Sequence, residues 1–333
     1  MKTRNTAGQS EATIQQRWKA VIDFLHTVHQ DYQQAKKQME EVCSLFSGRE
    51  NAVEQKLKDA LEITLPSANQ HEPSKGIAYL QVNCLGNFDV FVGYNRVKQW
   101  PSLKAKAVFK YLIAQRRHLV SKDMLMEALW QGCPPDVANS NLKTAIHSLR
   151  KTLGDVSQNR NGFTYIHFVD GHYLINPNMT LLIDDEDFER QWLKGQQLES
   201  EGDFSGAMTA YLYAEGLYKG DYLEEDLYED WTLMRREALK DTYLNILIKL
   251  ATHAAQAADY ENCISFCQKI LAKDPCCEEG YRHLMRSYSR LGQRNRAIQW
   301  YKVCDKTISA ELGVKPEPLT ISLFQRLVND EAI

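Results

Sequence analysis

The stretch "LWQGCPPDVANSNLKTAIHSLRKTLG", residues 129–154, decides how the chain is read. After the Pro-Pro turn it has the pattern of one long helix. On a wheel of about 100° per residue, Ala138, Leu142, Ala145, Ile146, Leu149 and Leu153 share an arc narrower than about half a turn, wide enough to be a core face. Asn139, Ser140, Lys143, Thr144, His147, Arg150 and Lys151 fall opposite. Between Asp136 and Asp155 the stretch has no acid. A solvated face usually mixes signs, whereas a face that meets phosphates excludes carboxylates and keeps cations. The short hydrogen-bonding side chains suit base edges in a major groove, which admits a helix. Asp136 is placed to cap the helix and favour its dipole.

The flanks fit this helix into a domain. "IAYLQVNCLG" and "NFDVFVG" alternate apolar and polar residues, with glycine breaks, and read as strands; "RVKQW" is a candidate third strand. Pro101 and Ser102 open a helix running through Arg117, with Val108, Leu112 and Ile113 inward. "SKDMLMEALW" is a second helix with Ser121 as its N-cap. After the long helix, "GFTYIHF", Asp-Gly and "HYLIN" read as a hairpin around a tight turn. Strands, three helices and a hairpin outline a winged helix.

The 333 residues allow two or three domains, and their net charge of −3 conceals an uneven distribution. Residues 1–76 carry 10 Lys/Arg and 10 Asp/Glu, residues 77–178 carry 12 and 6, and residues 179–333 carry 18 and 27. The basic middle third holds the opening stretch, as a nucleic-acid partner requires. Before it, Trp18, Val21, Leu25, Val28, Tyr32, Ala35, Met39, Val42 and Phe46 recur at spacings of three and four, the mark of a helical hairpin or a self-associating coiled coil. "LPSANQHEPSKG" is a polar linker. After the basic third the chain reads as helical repeats: Tyr260 aligns with Arg294 and Ile264 with Ile298, each 34 residues apart, the tetratricopeptide period.

The run from Leu85 to Phe188 resembles the DNA-binding domain of the SARP-type antibiotic regulators, whose winged helix is of the OmpR type. "LGNFDVFVG" with "WPSLKAKA" resembles the family's opening strands and first helix, "LVSKDMLMEALW" its second, and "ANSNLKTAIHSLRKTLG" its recognition helix. "GHYLIN" with "IDDEDFE" resembles the wing and the exit into the next domain. The repeats, ending in "ELGVKPEPLTISLFQRL", resemble the bacterial transcriptional activator domain that follows. The resemblance covers roughly residues 80–329 and implies sequence-specific DNA binding. It assigns Asn141, Lys143, Thr144, His147, Ser148, Arg150 and Lys151 to the DNA-facing helix, and Trp130 to an aromatic that closes the core near the DNA backbone. One departure is the wing tip, "FVDGHY", where Asp170 stands in place of the arginine OmpR-type wings often carry and would repel phosphate.

The sequence contains no P-loop, nucleophile elbow, HExxH or dinucleotide fingerprint, so nothing in it argues for an enzyme or a cofactor. Cys263, Cys267, Cys276, Cys277 and His283 lack the spacing of a zinc finger or ribbon, and cysteines of this kind pack between helices. The acidic run "DYLEEDLYED", residues 221–230, reads either as a solvated loop or as a docking surface for a basic partner such as a polymerase subunit. No apolar run approaches a membrane span and the N-terminus lacks a signal-peptide core, so a cytoplasmic protein is expected.

The expected fold is mostly α with a small β component: an N-terminal helical segment and linker (1–76), a winged helix (77–180) and a TPR-like activator domain (181–333). The expected function is promoter-specific DNA binding and activation through helix 136–153, with double-stranded DNA, a second copy of the chain and RNA polymerase as partners and no metal or cofactor. The alternative is a TPR-type interaction scaffold whose winged helix does not bind DNA.

Overall fold

The computed structural model describes residues 79–156 and 163–331, all within the unit Gly76–Ile333. The heptad pattern at 18–46 and the linker lie outside the described residues.

Two small sheets and three helices make the first half. Strands β1 (Tyr79–Asn83), β2 (Asp89–Val92) and β3 (Asn95–Arg96) form an antiparallel meander, in which the third strand starts one residue before the expected stretch "RVKQW" and shares only Arg96 with it. Helix α1 (Leu103–Ala114) starts at Ser102, whose hydroxyl accepts from Ala105 N at 3.0 Å, and ends three residues before Arg117. A two-residue strand, β4 (Val120–Ser121), leads into α2 (Lys122–Leu129), which Ser121 caps through Met124 N at 3.1 Å. The long helix α3 (Pro135–Val156) follows. Its buried residues are the six apolar positions of the wheel, Ala138, Leu142, Ala145, Ile146, Leu149 and Leu153. Asp136 lies inside its first turn instead of capping it, still at the positive end of the dipole.

The hairpin β5 (Ile166–Val169) and β6 (His172–Ile175) turns at Asp170 and Gly171, with φ of 50° and 81°. Two consecutive positive φ values are what a two-residue hairpin needs to match the strand twist. With β4 these strands form the second sheet, in the order β4-β6-β5. A seventh strand, β7 (Thr180–Ile183), which the sequence pattern does not announce, returns to the first sheet and pairs parallel with β1.

Helices α4 (Asp184–Ser200), α5 (Phe204–Leu217), α6 (Asp230–Gln256), α7 (Tyr260–Lys273), α8 (Glu278–Arg290), α9 (Arg294–Leu312) and α10 (Pro318–Val328) make the second half, with one 3-10 turn at Glu224–Asp226. Successive pairs stack, each covering the apolar stripe of the last. The 34-residue period has a structural counterpart, since Tyr260 and Arg294 are the first residues of α7 and α9. Cys263 and Cys267 are fully buried in the core of these helices, where the Ser287 hydroxyl donates to Cys263 Sγ at 3.2 Å. Among the described residues no group of three or more His, Cys, Asp or Glu is placed to hold a metal ion, and no helix is long and apolar enough to cross a membrane.

One continuous core joins the halves. Leu85 bridges Tyr222, and Leu223 N donates to Cys84 O at 2.8 Å. The acidic segments do the rest. Asp184 accepts from Cys84 N at 2.6 Å and Leu85 N at 2.9 Å. Asp185, fully buried, is shared by Arg116 at 3.0 Å and Arg235 at 2.9 Å. Arg116 also holds Glu186 at 2.8 Å, and Arg235 pairs with Glu189. Lys110 reaches Glu225 at 2.9 Å and also Asp226, and Lys106 pairs with Glu225. The run 221–230 therefore fits neither of the two expected readings as a whole. Part of it clamps α1, the helix that packs on α3.

Asp184 makes stability pH-dependent. Burial pushes its carboxyl up from 3.8 to about 6, although the backbone donors of Leu85 and Cys84 pull the other way. Between those two values the folded chain holds this proton more often than the unfolded chain does. Raising the pH through the window removes it and lowers stability, with no further change from this group above about 6. Urea midpoints measured from pH 4 to 6.5 will fall less steeply for Asp184→Asn than for the parent; equal slopes would refute the assignment.

Candidate nucleic-acid interface

The polar stripe of α3 is open. Ser140, Asn141, Lys143, Thr144, His147 and Lys151 are exposed, and Asn139, Ser148 and Arg150 are half-buried at its margins. Burial of the opposite stripe against α1 and α2 fixes the helix, so the exposed side chains are presented on a rigid rod. The Thr144 hydroxyl donates to Ser140 O at 3.0 Å, which leaves its lone pairs to face outward as acceptors.

Two sequence-assigned residues are placed differently from the rest. Arg150 Nε donates to Ile166 O of β5 at 2.9 Å, so its guanidinium ties the recognition helix to the wing. Trp130, the C-cap of α2, is buried, with Lys104 Nζ 5.7 Å above its ring. At the wing, Asp170 is exposed and Phe168 and Val169 are half-exposed. Phe168 packs against Tyr173 with ring centroids 4.6 Å apart. His172 Nδ1 lies 2.8 Å from Asp170 O, across the turn.

The residues missed by sequence reasoning are those that mount this face. Lys106, Lys110 and Arg116 hold α1 and the turn after it to the second half; Arg150 was named from the sequence, but for DNA contact and not for its tie from α3 to β5. The only signal for the first three was complementary: a basic block at 104–117 and acidic blocks at 184–189 and 221–230.

Comparison with known proteins agrees with this architecture. Residues 102–172 match the family described as Transcriptional regulatory protein, C terminal, and residues 183–328 match Bacterial transcriptional activator domain. The chain is 26% identical to the transcriptional regulatory protein MoaR1 of Mycobacterium tuberculosis, over 68% of this chain and 72% of that protein. It is also 26% identical to the regulatory protein DnrI of Streptomyces peucetius, over 71% of this chain and 88% of that one. The solved structure of Mycobacterium tuberculosis EmbR, in complex with a low affinity phosphopeptide, superposes with a TM-score of 0.63 at 19% identity. It covers 77% of this chain and 66% of EmbR, and it shows the shared fold.

A winged helix with an open, acid-free recognition helix, joined to a helical-repeat domain, defines a DNA-binding transcriptional regulator. The chain is a SARP-type regulator, an OmpR-type winged helix followed by a bacterial transcriptional activator domain. That family is one of regulators and not an enzyme class.

Proposed function

We propose that this protein is a cytoplasmic promoter-specific activator that reads DNA with the exposed stripe of α3. Its working parts are an N-terminal segment over 1–76, the winged helix over 77–180 and the activator domain over 181–333. One observation carries the reading: a stripe with no acid between Asp136 and Asp155 faces outward on a helix whose other stripe is wholly in the core. Lys143 and Lys151 contact phosphates. Asn139, Ser140, Asn141, Thr144, His147 and Ser148 are the candidates for base edges and sugar–phosphate positioning. Arg150 and Trp130 act one step back, setting the position of the helix, and Arg150 offers its remaining donors to the backbone of the duplex. A second copy of the chain doubles the contact, because one small module gives limited affinity and linkage adds avidity. The repeat domain contacts the second copy, RNA polymerase, or both.

Base readout has its own test. His147→Ala or Ser148→Ala will change which sequences a randomised duplex library yields, with discrimination at one position relaxed by about 1–3 kcal/mol. An unchanged binding motif for both variants would remove these residues from base readout.

A further inference from the structure

The cysteines of the repeats pack between helices, but one pair has more around it than packing needs. Cys263 and Cys267 stand one turn apart on α7, both without solvent exposure, in a core that includes Ala251, Leu284, Met285 and Ala297. In that apolar setting the Cys263 sulfur meets three donors. The Ser287 hydroxyl, itself 1% exposed, donates to it at 3.2 Å. The Cys267 thiol and the His283 ring donate to it as well. His283 is placed by α6 and by its own helix, with Nε2 3.3 Å from Thr252 Oγ1 and 3.9 Å from Glu279 Oε1.

A cysteine that only fills space needs no donor, whereas donors turned on one sulfur favour its anion. Cys267 first, and then His283 and Ser287, pull the Cys263 thiol well below the usual thiol range, against the burial that pushes it up. Burial pushes Cys84, Cys277 and Cys304 up instead. A thiolate with a second thiol bonded to it has both the nucleophile and the partner that thiol oxidation requires.

We propose that Cys263 and Cys267 are an oxidation site for hydrogen peroxide, which converts Cys263 to a sulfenic acid that Cys267 resolves to a disulfide, distorting that turn of α7. The Cys263 thiolate attacks one peroxide oxygen, the O–O bond breaks, and the departing hydroxide recovers the proton Cys263 gave up and leaves as water. Cys267 sulfur then attacks the sulfenic sulfur, the S–O bond breaks, and the second hydroxide leaves with the proton of Cys267. Two electrons pass from the two thiols to the peroxide. Both sulfurs are covered, so the oxidant enters only when the helices part locally. That selects a small uncharged peroxide over a bulky disulfide. The bond also reshapes its surroundings. Cβ atoms one helical turn apart are separated by about 5–6 Å, and a disulfide draws them to about 3.5–4.5 Å. The chemistry is independent of the activator reading.

The test treats the freshly reduced full chain with a small excess of hydrogen peroxide, then unfolds it and alkylates every remaining thiol. Trypsin releases Leu250–Lys269, which contains both cysteines and no other. The expected peptide is two hydrogens lighter than its reduced form and takes up no alkylating group, at a dose that leaves the exposed Cys133 reduced. Oxidised glutathione at the same dose leaves both thiols free. The urea midpoint of the disulfide form falls and is restored by dithiothreitol. Cys267→Ser keeps a donor for Cys263 but cannot form the bond, so it holds a sulfenic acid on Cys263 that dimedone captures. Oxidation of Cys133 while Leu250–Lys269 remains fully alkylated would overturn the proposal. So would a bond from Cys267 to Cys277, a disulfide form with the parent's midpoint, or a folded Cys267→Ser chain with no dimedone on Cys263.

Discussion

Replacing Lys143 and Lys151 together with alanine will flatten the dependence of DNA affinity on salt by about 1.8 in log–log slope, about 0.9 for each lost phosphate contact. At about 0.15 M salt, with 1 M as the reference where counterion release no longer helps, the same slope amounts to a loss of roughly thirtyfold. The loss will be similar for mixed genomic duplex and for a preferred site, since phosphates carry no sequence. Both side chains are exposed, and alanine is the better helix former, so the helix itself is not weakened. Circular dichroism of the variant will therefore match the parent. An unchanged salt slope would mean that α3 does not face a duplex. Arg150→Ala is the wrong variant for this purpose, because it also cuts the bond to Ile166 O and loosens the wing.

The second large effect is on stability. Asp185→Ala will cost about 3–5 kcal/mol, the usual penalty for removing one partner of a buried charge pair and leaving the other uncompensated. Here one carboxylate with no solvent exposure serves two arginines, Arg116 from the winged helix and Arg235 from α6. Glu186 and Glu189 stay with those arginines and soften the loss, because each is itself partly exposed. Urea unfolding of the full chain reads the change as a lowered midpoint. A shift worth less than about 1 kcal/mol would show that the acidic block positions the domains without holding them, as exposed pairs do.

These two residues differ in how far the sequence revealed them. Lys143 and Lys151 were legible because a helix face is a local property. Six apolar positions at helical spacing predicted the buried stripe, and the structure buries those six. The hairpin was legible for the same reason, since Asp170-Gly171 announces its own turn. Asp185 was not. Its partners lie 69 and 50 residues away, and a charge carries no periodicity that names its counterion. The clamp on Glu225 and Asp226 spans 115 residues or more and was hidden in the same way, so an interdomain contact read as a surface. Strand β7 escaped because four residues, "TLLI", in front of an acidic block show too short a pattern to separate a strand from a helix start.

The parallel pairing of β1 with β7 bears on how the molecule is made. Cys84 and Asp184, at the end of that pairing, are 100 residues apart, so the first sheet is completed only when the lead-in to the repeats has left the ribosome. Until then β1 has no neighbour on that side. A fragment beginning near 181 has the opposite defect, a stub of strand with Leu182 bare and no edge to join. Shortened versions of this regulator that retain both β1 and β7 will remain in solution, and those that cut between the two strands will tend to stick to one another.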